Sequence, residues 1–156
     1  MKRKIFLIFF SFILVSSCGY KNLYLETSKN FKINKISTSG ENRIGYEIEK
    51  FLKLNSSLDS SSKYDVMLDL KKIKSIKEKN ISGRVTKYNL ELKVSMTLND
   101  SKNLKKISKN FSQAVDYSVE KNHSDTKTNE KISTKNLTEL IQSDILNFII
   151  LYNDKK

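Results

Sequence analysis

The chain holds one cysteine, Cys18, and one histidine, His123. Cys18 follows Leu14-Val15-Ser16-Ser17 and precedes Gly19, at the end of an apolar run from Ile5 to Val15 that comes after Met1-Lys2-Arg3-Lys4. A thiol is a nucleophile and an acceptor of acyl or alkyl groups. Without a second cysteine it forms no intrachain disulfide. His123 lies in a polar stretch with no cysteine nearby, so it reads as a solvated loop residue and no metal centre is expected. Asp65 and Asp69 fall on one strand face four residues apart, as a wet sheet face would place them. Glycine occurs only at positions 19, 40, 45 and 83, with no nucleophile elbow and no phosphate-cradling loop. An enzyme is not expected. The remaining chemistry is cationic. Arg84 and Lys87 open the clearest strand, and Lys93 shares a face with Lys87. Such groups are charge-assisted donors for phosphates or acidic sugars. For each lysine, a solvated face competes with that reading. Arg84 stands out because the other arginines are only Arg3 and Arg43.

The basic start, short apolar core and small residues before a cut are the parts of an export signal. The apolar run is about 11 residues, short of the ~20 a spanning helix needs, and no later segment is long enough to span. Val15, Ser16, Ser17 and Cys18 together resemble the lipobox of bacterial lipoproteins. The resemblance implies a diacylglycerol on the Cys18 thiol, cleavage before Cys18, and a third, N-linked acyl chain such as palmitate. One acyl chain binds a membrane marginally, whereas two or more anchor stably. The expected layout is a lipoprotein signal peptide at 1–17, a lipidated tether at 18–30 and a single domain at 31–156. No cofactor beyond the covalent lipid on Cys18 is expected.

Cleavage before Cys18 leaves 139 of the 156 residues, enough for one domain with a real core. Losing Lys2, Arg3 and Lys4 takes the formal charge from +12 to +9. A basic chain invites a nucleic-acid reading. Export argues against it, and so does composition: nearly all the cations are lysine, proline and tryptophan are absent, and asparagine and isoleucine abound, as in an A+T-rich genome. The inference that survives is a preference for anionic partners such as lipid headgroups.

The elements that position these residues follow from hydropathic period. Phe31 to Ser37 reads as a short strand, and Thr38 to Asn42 as a turn. Ile44, Ile48, Phe51, Leu52 and Leu54 recur at helical spacing over Asn42 to Leu54, with Gly45 inside and Asn42 or Ser39 as a cap. A loop follows at Asn55 to Ser62. Tyr64, Val66, Leu68 and Leu70 alternate as a strand, and the pattern then slips to Ile73 and Ile76, as at a bulge or a strand end. After a turn at Asn80 to Gly83, Tyr88, Leu90, Leu92, Val94, Met96 and Leu98 lie on one face of the clearest strand. A hairpin loop at Asn99 to Asn103 leads into Leu104 to Val119, where Lys109 and Gln113 interrupt the apolar face and suggest an edge. Residues 120–129 read as irregular. From Ile132 a long helix closes the chain, with Ser133 or Thr134 as its cap. The expected fold is α+β, in the order β-α-β-β-β-α: a two-layer sandwich of about four antiparallel strands covered on one face by two helices.

Three stretches resemble the lipopolysaccharide-assembly lipoprotein family LptE in its alphaproteobacterial form. They are Cys18-Gly19-Tyr20-Lys21-Asn22-Leu23-Tyr24, Arg84-Val85-Thr86-Lys87-Tyr88-Asn89-Leu90, and Asp116-Tyr117-Ser118 leading through Glu130 into the last helix. Asn22 departs from the proline usual in that family. The resemblance implies an outer-membrane lipoprotein on the periplasmic face that sits in the lumen of the LptD β-barrel. It would help that barrel assemble, plug it and take part in inserting lipopolysaccharide into the outer leaflet. Gly19, rather than Asp, after Cys18 is compatible with outer-membrane sorting. Arg84, Lys87 and Lys93 then become candidate lipopolysaccharide-binding residues. A stand-alone lipid-binding carrier is the alternative, and it would need an apolar cavity of its own.

Overall fold

A computed structural model describes residues 30–58 and 60–155. Cys18, the expected signal and nearly all of the expected tether lie outside the described residues. The elements are β1 (Lys32–Gly40), α1 (Asn42–Leu54), β2 (Lys63–Lys79), β3 (Val85–Asp100), β4 (Lys105–Ser118) and α2 (His123–Asp154). Their order and the α+β class are those expected.

The sheet order is β1-β2-β3-β4. β2, β3 and β4 pair antiparallel through hairpins. β1 runs parallel to β2, so the sheet is mixed rather than wholly antiparallel. The cause is α1. A helix between two neighbouring strands carries the chain back across the sheet, and the second strand must then run the same way as the first. β1 also continues through the expected turn as far as Gly40. There φ is +88°, and a Cβ would fall 1.9 Å from the Leu70 carbonyl oxygen. Glycine lets the chain leave the sheet directly against β2.

Both helices cover one face. Tyr64, Val66, Leu68 and Leu70 of β2 and Leu90, Leu92, Val94, Met96 and Leu98 of β3 form the floor of the core. Ile44, Ile48 and Leu52 of α1 and Leu137, Ile141, Ile145 and Ile149 of α2 close it. Each fully buried aliphatic side chain contributes about 1.5–3 kcal/mol. Gly45 is buried, and a Cβ there would meet that of Thr38 at 3.0 Å, which keeps α1 close to β1. The helix starts after Glu41 without a side-chain cap, so neither Asn42 nor Ser39 serves as one.

Two local expectations are corrected. The slip in β2 is not a bulge at Ile73. The ladder runs unbroken from Tyr64 opposite Asp100 to Ile76 opposite Tyr88, and the register shifts only between Ile76 and Lys79. The period fades because Lys72 and Lys74 take the core-facing positions opposite Leu92 and Leu90. α2 likewise begins at His123, well before Ile132. Its first turns bury Thr126 and Ser133, small polar residues that leave no apolar stripe. The Thr126 hydroxyl accepts the Glu120 N–H at 2.9 Å. Ser133 and Thr134 lie inside the helix, and the Thr134 hydroxyl donates to the Glu130 carbonyl at 2.8 Å. β4 is an edge strand, as Lys109 and Gln113 suggested, and the Gln113 amide donates to Asp144 of α2 at 2.8 Å.

Candidate functional site

Because both helices pack on one face, no element among the described residues covers the other face of the sheet. Its central row is Lys87, Asn89, Glu91, Lys93, Ser95 and Thr97 of β3. Asp69, Lys71 and Ile73 of β2 lie beside Ser95, Lys93 and Glu91, and Ser108, Ser112 and Asp116 of β4 lie beside Thr97, Lys93 and Asn89. Short polar side chains tie the strands together. Ser39 donates to Asp69 at 2.7 Å, Ser112 to Glu91 at 2.8 Å and the Asn89 amide to Asp116 at 2.6 Å. Asp69 is thus a hydrogen-bonded member of this face, and Asp65 stands opposite Asn99.

The three candidate cations are strung along this face and its end rather than gathered. Lys87 lies three positions after Arg84 and Lys93 six positions after Lys87, about 10 and 20 Å of extended strand. Lys87 is ion-paired with Glu78 at 2.8 Å. That hydrogen bond is the main cause holding Glu78 below and Lys87 above its ordinary pKa. Lys93 is paired with Glu91 at 3.3 Å. Glu91 is held low first by the Ser112 hydroxyl and, more weakly, by Lys93. Arg84 is exposed in the β2–β3 turn, its backbone N–H bonded to the Asn80 side chain at 2.9 Å. Its guanidinium makes no ion pair with a described residue. Lys71 stands directly opposite Lys93, and like charges in that position repel. This pair of lysines escaped sequence reasoning because register is needed to see it.

A second cluster that sequence reasoning missed lies on the covered face. The Lys74 ammonium sits 4.2 Å from the Tyr88 ring centre and 5.3 Å from that of Tyr117, and donates to Glu130 of α2 at 2.8 Å. The Tyr117 hydroxyl donates to the same Glu130 oxygen at 3.2 Å. Desolvation draws the Lys74 pKa down, but the bonds to Glu130 and Tyr117 outweigh it and leave the pKa raised. The Lys74 hydrogen bond is the main cause lowering Glu130, against desolvation. Tyr117 is raised, chiefly by desolvation. These bonds join β2 and β4 to α2, so the cluster acts as a clamp of helix on sheet.

An open groove of about 270 Å³ runs between α1 and α2, lined by Phe51, Leu54, Thr138 and Gln142, with Glu47, Lys50, Lys135 and Glu139 around them. Among the described residues no three potential ligands are grouped to hold a metal ion, and no helix is long and apolar enough to cross a membrane. His123 is exposed at the first residue of α2.

No protein-family model matches the chain, and no curated protein matches it in sequence. Solved structures match it in fold. The crystal structure of rare lipoprotein B from Shewanella oneidensis superposes with a TM-score of 0.60 at 17% identity, over 78% of this chain and 98% of that one. The solution structure of lipoprotein B from Nitrosomonas europaea gives 0.58 at 15% identity, over 80% and 85%. The minor lipoprotein from Acinetobacter baumannii gives 0.54 at 11% identity, over 78% and 94%. The chain therefore has the fold seen in these lipoproteins.

Proposed function

We propose that the protein is an outer-membrane lipoprotein of the LptE kind, anchored through acylated Cys18, that docks within a large β-barrel of the LptD type and assists lipopolysaccharide insertion. The observation that carries this reading is the uncovered sheet face. It spans about 50 Å along β2 and β3 and four strands across, on the order of 800 Å², the size one partner contributes to a standard specific interface. Apart from apolar residues such as Met67 and Ile73 it is built from hydroxyls, amides and charged groups, which suit a polar barrel lumen better than hydrocarbon. The fold shared with the lipoprotein structures supports the same reading, and so does the lipobox-like stretch ending at Cys18.

A lipid carrier would need an enclosed apolar cavity. The α1–α2 groove is open rather than enclosed, with Glu47, Lys50, Lys135 and Glu139 around it, which favours the docking role. The test is affinity purification of the tagged, lipidated protein from mild-detergent membrane extracts, with partners identified by mass spectrometry. Recovery of one large β-barrel at about one to one is the expected result. Recovery of the lipoprotein alone, or with phospholipid only, would refute the docking role.

A further inference from the structure

The end of the domain where the tether enters gathers three exposed leucines, and we infer that it is a membrane-contact surface that lays Leu58, Leu104 and Leu151 against anionic phospholipid headgroups. Several contacts bring this end together. The Asn30 carbonyl accepts from Ser60 of the α1–β2 loop and from Asn153 near the end of α2 at 3.4 Å. The Ser101 N–H of the β3–β4 turn donates to the Lys63 carbonyl at 3.1 Å. The Tyr64 hydroxyl meets Asn153 at 3.0 Å. The loop, the hairpin, the helix end and the incoming chain thus converge.

Two independent features of this end point to a surface that meets something other than water. Leu104 is the described non-glycine residue at positive φ, +53°, and its side chain is 92% exposed. A left-handed leucine costs about 1 kcal/mol or more that asparagine or glycine would avoid. Full exposure returns nothing to the fold, so the strain and the apolar side chain call for an external partner. Leu58 and Leu151 are 82% and 60% exposed at the same end. Lys63, Lys102, Lys105 and Lys155 are exposed around them, against the exposed carboxylate of Asp154. Asp59, in the same loop, lies outside the described residues. Apolar residues ringed by lysine are the composition of an interfacial contact with anionic lipid.

The position of the anchor argues for the same occupant. Asn30 lies twelve positions after Cys18, a span of at most about 40 Å when fully extended. The opposite end, the β2–β3 turn, lies about 50 Å further along the sheet. An acylated Cys18 therefore brings the Leu58–Leu104 end to the bilayer first. The inference rests on the proposed function for the acyl anchor alone.

The experiment uses the lipidated protein in vesicles. Cys18 is the only cysteine and its thiol is blocked by acylation, so Leu58→Cys, Leu104→Cys, Leu151→Cys and, at the far turn, Ile81→Cys each take a single environment-sensitive dye. Ile81 is as exposed as Leu104, and neither replacement touches the core. In vesicles of phosphatidylcholine with phosphatidylglycerol, labels at 58, 104 and 151 should shift to the blue and be quenched by lipid-borne nitroxide, while 81 stays water-like. In phosphatidylcholine alone the shift should shrink. Water-like emission at 58, 104 and 151 overturns the inference. A shift equal on both vesicle types overturns the anionic-headgroup assignment. Labels that leave water only when a barrel co-purifies assign this end to protein. Intact mass reports Cys18 acylation separately, so acylated protein with water-like labels refutes the contact and leaves the anchor standing.

Discussion

Breaking the Lys74–Glu130 clamp should loosen the first turns of α2 before it unfolds the domain. These turns bury Thr126 and Ser133 rather than aliphatic residues, so apolar burial contributes little there. The clamp supplies what burial does not. A hydrogen bond to a charged group contributes about 1.5–3 kcal/mol when shielded, and a cation over an aromatic face about 0.5–1 kcal/mol at an exposed site. An exposed ion pair contributes about 0–1 kcal/mol. The Lys74 side chain is 36% exposed and that of Glu130 18%, so the value falls between these limits. A cycle of Lys74→Met, Glu130→Gln and the double variant should give a coupling of about 1–2 kcal/mol by urea unfolding, as for contacting residues generally. Amides within residues 123–133 should lose hydrogen-exchange protection well before those of Leu137 to Ile149.

The pH dependence has a definite sign. Glu130 titrates low in the fold. Its contribution is therefore fully present above the unfolded carboxylate value near 4.3 and is lost as pH falls through the lowered folded value. Lys74 titrates high. Its contribution is present below about 10.4 and is lost as pH rises through the raised folded value. Glu130→Gln should flatten the acid limb of the stability profile relative to wild type. A coupling below about 0.3 kcal/mol, within ordinary additivity error, together with an unchanged acid limb, would refute the clamp.

Other outcomes follow from single residues. Gly40→Ala should cost at least about 3 kcal/mol, because it combines a left-handed φ with a Cβ 1.9 Å from a backbone oxygen; thermal melts would show it, and a neutral result would mean that β1 does not leave the sheet at Gly40. Leu104→Asn should raise stability by about 1 kcal/mol through relief of the left-handed leucine, a gain in melting temperature of about 2–4 °C, while abolishing vesicle contact at that position. Ile48→Ala, at a fully buried position, should cost about 2–5 kcal/mol, read by denaturant midpoint. In titrations against lipopolysaccharide, Arg84→Gln should weaken binding by about tenfold, the loss of one charge-assisted bond, and Lys87→Gln by less, since Glu78 already pairs Lys87. Equal losses, or none, would remove Arg84 as the leading contact.

Hydropathic period made the two-layer architecture legible. Tyr88 to Leu98 alternates without a break, and β3 is the strand whose inward residues are buried from Leu90 onward. Ile44, Ile48 and Leu52 marked the buried stripe of α1. Period fails where a polar side chain occupies an inward position and finds its own partner. Lys74 looked like the end of a strand because its Glu130 partner is 56 residues away, and Thr126 looked like a loop because its hydroxyl is satisfied locally. The direction of β1 was implicit in the order strand-helix-strand, since a helical crossover joins parallel neighbours. Of the candidate site, the shared outward face of Lys87 and Lys93 was readable from parity alone. Their ion pairs with Glu78 and Glu91, and the opposition of Lys71 to Lys93, depend on cross-strand register and local side-chain placement.

That opposition bears on how the open face works. Lys71 and Lys93 are directly opposed on adjacent strands, an arrangement that costs a few tenths of a kcal/mol to about 1 kcal/mol in water. Glu91 offsets part of this through Lys93 at 3.3 Å, yet Glu91 is itself bound by Ser112 at 2.8 Å. The centre of the face is thus formally balanced, Asp69 and Glu91 against Lys71 and Lys93, but the two lysines still stand side by side in the free protein. A partner that presents a carboxylate or phosphate there gains more than it would from an isolated lysine, because it also relieves the repulsion. Docking on this face should therefore weaken with added salt, and Lys71→Gln should stabilise the free domain slightly while weakening the complex. A variant that stabilised both would show that the two lysines meet only water.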